Sequence, residues 1–274
     1  MPAPVRPKRP TGQTGLEWLL TDDGSQTLWN ADLDETYHSG CGAIAESLVV
    51  YLLNSRVYQR LAQGLPTRVF EMGFGTGTGM LLTGAIANYF QTPLLYTAVE
   101  KHLLPSEFVS QLHLEQHIHN VAQQHQHLAT GLSPAQFTTL PELVQQLMPL
   151  IGRLRNARLV QNGFQIDQQR LSPWVSLEML IGDGQSLDFS SETSEFRQRF
   201  DAIYFDAFSP ESCPELWTDA VFEEMVAGLS PGGVLTSYCV KGEVRRQLQT
   251  LGLTVRKAAG PVAGKREVLV AVKS

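Results

Sequence analysis

Residues 70–79 read FEMGFGTGTG, between the apolar run TRV (67–69) and the helix-spaced stretch MLLTGAIANYF (80–90). A glycine-rich turn from a strand into a helix brings backbone N–H groups up to a ligand. A dinucleotide-binding turn would read G-x-G-x-x-G, and this one does not. Three residues beyond Gly75 stands Thr78, beyond Gly77 Met80, and beyond Gly79 Leu82. The pattern is instead E-x-G-x-G-x-G, with Glu71 at the strand end and Gly73, Phe74, Gly75 and Gly77 in the turn. A carboxylate there would repel a pyrophosphate and suits a ligand that carries an ammonium and a sulfonium.

S-adenosylmethionine is such a ligand. The next apolar run, LLYTAVEK (94–101), ends in Glu100 and Lys101, and doubly wound nucleotide sites place an acid at this point to accept hydrogen bonds from ribose hydroxyls. The run WVSLEMLIGDG (174–184) then sets Asp183, followed by Gly184, past a third strand end, where a carboxylate can accept from an adenine amino group. Taken singly, Asp183 also suits a helix cap. Acids at successive strand ends, in this order, make the cofactor reading the better one.

Working outward, further apolar runs lie at DAIYFD (201–206), GVLTSYCV (233–240), LTVRKA (253–258) and REVLVAV (266–272), with helical patterns between most of them. Strand and helix in alternation predict an α/β, doubly wound, mostly parallel sheet. The last two runs are joined by too short a link for a crossover helix and should pair as an antiparallel hairpin. A seven-stranded sheet finished this way resembles the class I S-adenosylmethionine-dependent methyltransferase form of the Rossmann-like architecture. Residues 1–60 read as an N-terminal extension, with residues 1–15 a candidate for disorder, short strands near LEWLLT and QTLWN, and one helix from Ala43 to Arg60. Residues 61–274 read as the methyltransferase domain, with a helical elaboration around 105–170.

Composition narrows the class. A chain of 274 residues, 43% hydrophobic and 18% charged, can bury a large core. Cys41, Cys213 and Cys239 form no close pair, which points to a reducing compartment, and Cys213 and Cys239 read as packing residues. The Pro-rich start MPAPVRPKRPTGQTG lacks a signal peptide's apolar segment, and no run approaches a membrane span, so the expectation is a cytoplasmic protein with no membrane partner. Net charge is −6, yet residues 241–274 hold eight basic side chains against two acidic ones. That local excess fits either a solvated face or a footprint for a polyanion.

The element DAIYFDAFSPESCPELW (201–217) is the most specific part of the chain. With VFEMGFGTGTG, AVEKHLL, the GD at 182–183, DETYHSGCGAIAES (34–47) and the region from PGGVLTSYCVKGEVRR to the end, the sequence resembles the MnmC-type tRNA methyltransferases in their stand-alone MnmD form. The resemblance covers roughly residues 27–104 and 174–274. It implies methyl transfer from S-adenosylmethionine to the aminomethyl nitrogen of 5-aminomethyl-2-thiouridine at the tRNA wobble position. Fused members carry a second, FAD-dependent domain, for which this sequence has no room. The expectation is therefore a methyltransferase acting without FAD or metal, downstream of the enzymes that install the aminomethyl group.

The substrate amine is mostly ammonium at neutral pH and must lose a proton before it can attack. Asp206, at a strand end, could orient that nitrogen, while a carboxylate pKa near ~3.9 makes it a poor general base. Phe208 and Trp217 could wall the uracil ring, Trp217 equally well being a packing residue. Lys241, Arg245, Arg246, Lys265 and Arg266 could contact tRNA phosphates. The histidines His113, His117, His119, His125 and His127 do not form a metalloprotease helix and read as a solvated segment. Two other readings stand beside this one: a small-molecule amine methyltransferase or spermidine-synthase-like aminopropyltransferase, and a non-catalytic tRNA-binding partner. The acid series and Asp206 count against the last.

Overall fold

The computed structural model describes residues 6–118, 132–151, 159–161, 164–261, 264 and 266–274. The first strands, β1 (Lys8–Pro10), β2 (Leu16–Leu20), β3 (Gln26–Asn30) and β4 (Glu35–Thr36), form a four-stranded antiparallel sheet in chain order. Pairing thus starts at Lys8, inside the stretch that composition marks as a candidate for disorder. Trp18, Leu16 and Leu28 bury their side chains with Phe108 and Leu112, which ties this small sheet to the rest of the molecule.

A single helix over 43–60 is not what forms. Helix α1 (Ala43–Glu46) runs into a π-helical stretch, Ser47–Leu53, and a separate α2 (Val57–Ala62) follows Arg56, whose φ is +68°. The Asn54 side-chain amide donates to the Val49 carbonyl at 2.8 Å, an oxygen that also accepts from the Asn54 backbone N–H at 3.3 Å where the stretch ends. The start of α1 is capped from a distance: Ala45 N–H donates to Asp23 Oδ2 at 3.2 Å and Ala43 N–H to Ser25 Oγ at 3.1 Å.

The main sheet contains β5 (Thr67–Met72), β6 (Leu94–Glu100), β7 (Leu159–Gln161), β8 (Phe164–Arg170), β9 (Val175–Ile181), β10 (Phe200–Phe205), β11 (Leu229–Ser237), β12 (Leu253–Ala259) and β13 (Glu267–Lys273). Their order is β12-β13-β11-β10-β5-β6-β9-β8-β7. β9, β6, β5, β10 and β11 are parallel, β13 runs antiparallel to β11, and β12 closes the hairpin on β13. This is the expected doubly wound fold. Two strands extend it: β8 and β7 add antiparallel beyond β9, so the end of the 105–170 connection is strand, not helix. That connection also holds α4 (Ser106–Gln111) and α5 (Pro134–Ile151).

The helices α3 (Thr78–Phe90), α6 (Asp219–Gly228) and α7 (Gly242–Thr250) complete the layers. Side chains alternate across a strand, and that alternation separates two cores. Val69 and Tyr204 join Leu48, Tyr51, Met80, Leu81 and Val144 on one face, and Phe70, Phe205, Phe222 and Leu248 lie on the other. Glu178, buried in β9, stays tolerable because Thr97, Gln168 and Arg199 all donate to it. Among the described residues, no helix is long and apolar enough to cross a membrane.

Candidate active site

The carboxyl ends of β5, β6, β9 and β10 all reach the same rim of the sheet. β5 leads to a neighbour on one side, β6, and β10 lies on its other side, which makes this the switch point where open α/β sheets bind ligands. A cavity of about 460 Å³ opens there. It is lined by Gly73, Phe74, Gly75, Glu100, Lys101, Asp183, Gly184, Asp206 and Phe208, among other residues.

The loop after β5 is shaped by close approach. Gly73 has φ +90°, and a Cβ there would stand 2.8 Å from the Asp206 carbonyl oxygen. Gly75, at φ +52°, presents its N–H to Glu100 Oε2 at 3.0 Å, and His102 N–H donates to the other oxygen at 3.0 Å. Burial raises the Glu100 pKa and these backbone donors pull it back. Gly77, at φ +76°, does not line the cavity; it packs under the Phe74 ring. Asp183 serves as a cap after all: its Oδ1 accepts from Gln185 N–H at 3.0 Å, and its Oδ2 pairs with Lys101 at 2.8 Å. The Lys101 hydrogen bond holds the Asp183 carboxyl below its ordinary range. Both functions are compatible with a place on the cavity wall.

Glu71 is the main correction. It shares the face of Val69, where α3 covers it, and is 2% exposed. A Cβ on Gly79 would come within 2.6 Å of its Oε1, and its Oε2 has no hydrogen-bond partner. Burial pushes its pKa well up, and the side chain lies under the helix, outside the lining of the cavity.

On the other side of the cavity, Asp206 leaves β10 on the face of Tyr204. The Tyr51 hydroxyl donates to Asp206 Oδ1, and the Asp206 N–H donates to the Met72 carbonyl at 3.0 Å. Phe208 meets Tyr37 edge to face at 5.0 Å between ring centroids. Burial, with Glu100 nearby, pushes the Tyr37 hydroxyl up to about 12. Trp217 does not reach the cavity: it is 6% exposed, packs on Phe205 at 4.9 Å, and donates its Nε1–H to the Phe208 carbonyl at 2.7 Å. It anchors the loop.

The expected phosphate contacts lie outside the cavity. Lys241 is ion-paired with Glu211 on the 206–217 loop, Arg245 is half-buried, and Arg246 and Arg266 are exposed. Lys265 lies outside the described residues, as do His119, His125 and His127. No cluster of metal-ligating side chains occurs among the described residues.

The residues missed by sequence reasoning come from the first sheet and α1. Glu35, Tyr37, His38, Ser39 and Glu46 line the cavity, as does Tyr238 after β11. His38 is buried, shares a 3.0 Å hydrogen bond with Thr27, and has its pKa pushed down to about 4 by burial. The polar run DETYHS just ahead of an apolar helix was the available signal.

The cavity fits S-adenosylmethionine. Its volume suits a nucleoside-sized ligand, its glycine loop leaves no room for a Cβ at Gly73, and acids rim it at the ends of β6 and β9. The comparisons agree. A family described as S-adenosyl-L-methionine-dependent methyltransferase matches residues 154–274. The bifunctional tRNA 5-methylaminomethyl-2-thiouridine biosynthesis protein MnmC of Psychrobacter cryohalolentis is 26% identical over 94% of this chain and 35% of its own length. The MnmC of Chromohalobacter salexigens is 27% identical over 98% of this chain and 35% of its own. The crystal structure of MnmC2 from Aquifex aeolicus superposes with a TM-score of 0.68 at 25% identity, covering 96% of this chain and 72% of that one. The chain thus spans about a third of the length of the curated relatives it matches. Loop, sheet order and relatives converge on one conclusion: the chain has the class I S-adenosyl-L-methionine-dependent methyltransferase fold and is similar over nearly its whole length to part of the MnmC proteins.

Proposed function

We propose that this enzyme methylates the aminomethyl nitrogen of 5-aminomethyl-2-thiouridine at the tRNA wobble position. The observation that carries the reading is Asp206, a carboxylate on the acceptor side of the cofactor cavity, beside the aromatic pair Tyr37 and Phe208. The likeness to MnmC proteins supplies the nucleoside.

Gly73 and Gly75 would hold S-adenosylmethionine with backbone groups, Glu100 would accept from its ribose and Asp183 from its adenine. Bound there, it supplies an electrophilic methyl group on a sulfonium. The chain's own part is positional. Asp206 accepts an N–H of the acceptor ammonium and turns the nitrogen toward the methyl, and the proton is lost to water, since a carboxylate is too weak a base to remove it outright. Tyr37 and Phe208 flank the base and keep water from the donor; stacking on an aromatic contributes about 1–3 kcal/mol per base.

Around the opening, Lys241, Arg245, Arg246 and Arg266 meet tRNA phosphates, with Lys241 exchanging Glu211 for phosphate. The enzyme acts in the cytoplasm, after the enzymes that install the aminomethyl group. Incubation with methyl-labelled S-adenosylmethionine and tRNA lacking this modification is expected to place label in a wobble nucleoside. Label in a polyamine, or none in tRNA, overturns the proposal.

A further inference from the structure

The seven-residue π-helical stretch Ser47–Leu53 sits beside the acceptor half of the cavity. Its wide turn is visible in the Asn54 N–H, which reaches back five residues to the Val49 carbonyl at 3.3 Å. π-turns inside helices frequently mark functional positions, because the extra residue re-aims side chains that an α-helix would point elsewhere. Here the re-aimed residue is Tyr51.

Tyr51 is 1% exposed, and its ring lies on Tyr204 with centroids 5.3 Å apart. Tyr204 is two residues before Asp206 on β10, so it shares the Asp206 face of the strand. The Tyr51 ring is therefore clamped, and its hydroxyl is delivered to Asp206 Oδ1. Glu46 from α1, Tyr96 from β6 and Tyr238 after β11 also face this pair, with Glu35 and His38 farther along the same wall and Glu71 behind Tyr96.

We propose that Tyr51 is a positioning residue for methyl transfer: its phenol O–H fixes the Asp206 carboxylate, as an oriented anion, in front of the acceptor nitrogen. This rests on the reading of Asp206 as the acceptor-side carboxylate. Tyr51 keeps its proton throughout. Burial, with Asp206 and Glu46 close by, pushes its pKa well up, so it donates a hydrogen bond and never serves as the base. The substrate's proton still leaves to water.

The test compares wild type with Tyr51→Phe, which keeps the buried ring, and Asp206→Asn. Asp206→Asn identifies the Asp206 signal in carbon-13 spectra of carboxyl-labelled protein. In Tyr51→Phe that carboxyl should titrate higher by about one pH unit, since a hydrogen bond to its charged form is lost. The turnover number should fall about tenfold, with its acid limb moved to higher pH, as expected for a lost hydrogen bond to a charged group. Binding of S-adenosylhomocysteine should be unchanged, which also reports that the variant is folded. An unmoved carboxyl titration overturns the proposal, and so does a turnover within twofold of wild type when Asp206→Asn is inactive. Should Asp206→Asn keep the full rate, the reading of Asp206 itself falls, and the role of Tyr51 in turnover falls with it.

Discussion

The Glu35 carboxylate and Ser209 are joined across 174 positions of sequence: the Ser209 N–H donates to both carboxylate oxygens at 3.0 and 3.1 Å, and its hydroxyl donates to Oε2 at 2.9 Å. This clasp fastens the first sheet to the loop that carries Asp206 and Phe208. Glu35→Ala leaves a half-buried amide without its acceptor. The expected cost is about 1–3 kcal/mol, read as a lower urea midpoint. A double-mutant cycle with Ser209→Ala should return a coupling of about 0.5–3 kcal/mol, and a zero coupling would show the clasp to be energetically silent.

Gly73→Ala is expected to abolish cofactor binding. Its Cβ would meet the Asp206 carbonyl oxygen at 2.8 Å, and the collision is backbone on backbone, so neither side can give way cheaply. Gly64, at φ +73°, has nothing within 4 Å of the same atom. Gly64→Ala should then cost only about 1 kcal/mol of stability, the penalty of a left-handed alanine. Calorimetric titration with S-adenosylhomocysteine separates the two.

His38 makes stability depend on pH in a defined window. Its folded pKa is pushed down from 6.5 to about 4, so between those values the unfolded chain binds a proton that the folded chain refuses. The contribution is complete above pH 6.5 and is lost as pH falls toward 4, at up to about 1.4 kcal/mol per pH unit. His38→Gln should flatten the decline of the melting temperature over that range. An equal slope in both proteins would contradict the assignment.

Trp217→Phe tests the anchor. The variant keeps the packing on Phe205 and removes the donor to the Phe208 carbonyl, with an expected loss of about 1 kcal/mol. Turnover should fall modestly while KM for tRNA stays unchanged. A large rise in KM without loss of stability would mean that the ring touches the substrate.

The sequence was most legible where one rule acted locally. β5, β6, β9, β10 and β11 are covered on both faces and read as apolar runs, and the short link between β12 and β13 forced a hairpin. β8 was hidden because it lies near the sheet edge, and FQIDQQR spends most of its positions on half-covered or exposed polar side chains. Glu71 was misplaced for a simpler reason: it is two residues from Val69 and must share that residue's covered face. Glu35, Tyr37 and Tyr51 left no trace of their partners, because Ser209, Phe208 and Asp206 meet them only once the first sheet folds against the main one.

The placement of β13 between β11 and β12 imposes an order of assembly. β12 precedes β13 in the chain but touches the sheet only through it, so it has no template until its successor has been synthesised. The hairpin must then form locally and dock as one unit on β11, along the pairs from Val234↔Val272 to Ser237↔Leu269. Native-state amide exchange should find β12 no better protected than β13. Protection of β12 that outlasts that of β13 would rule out this sequence of events.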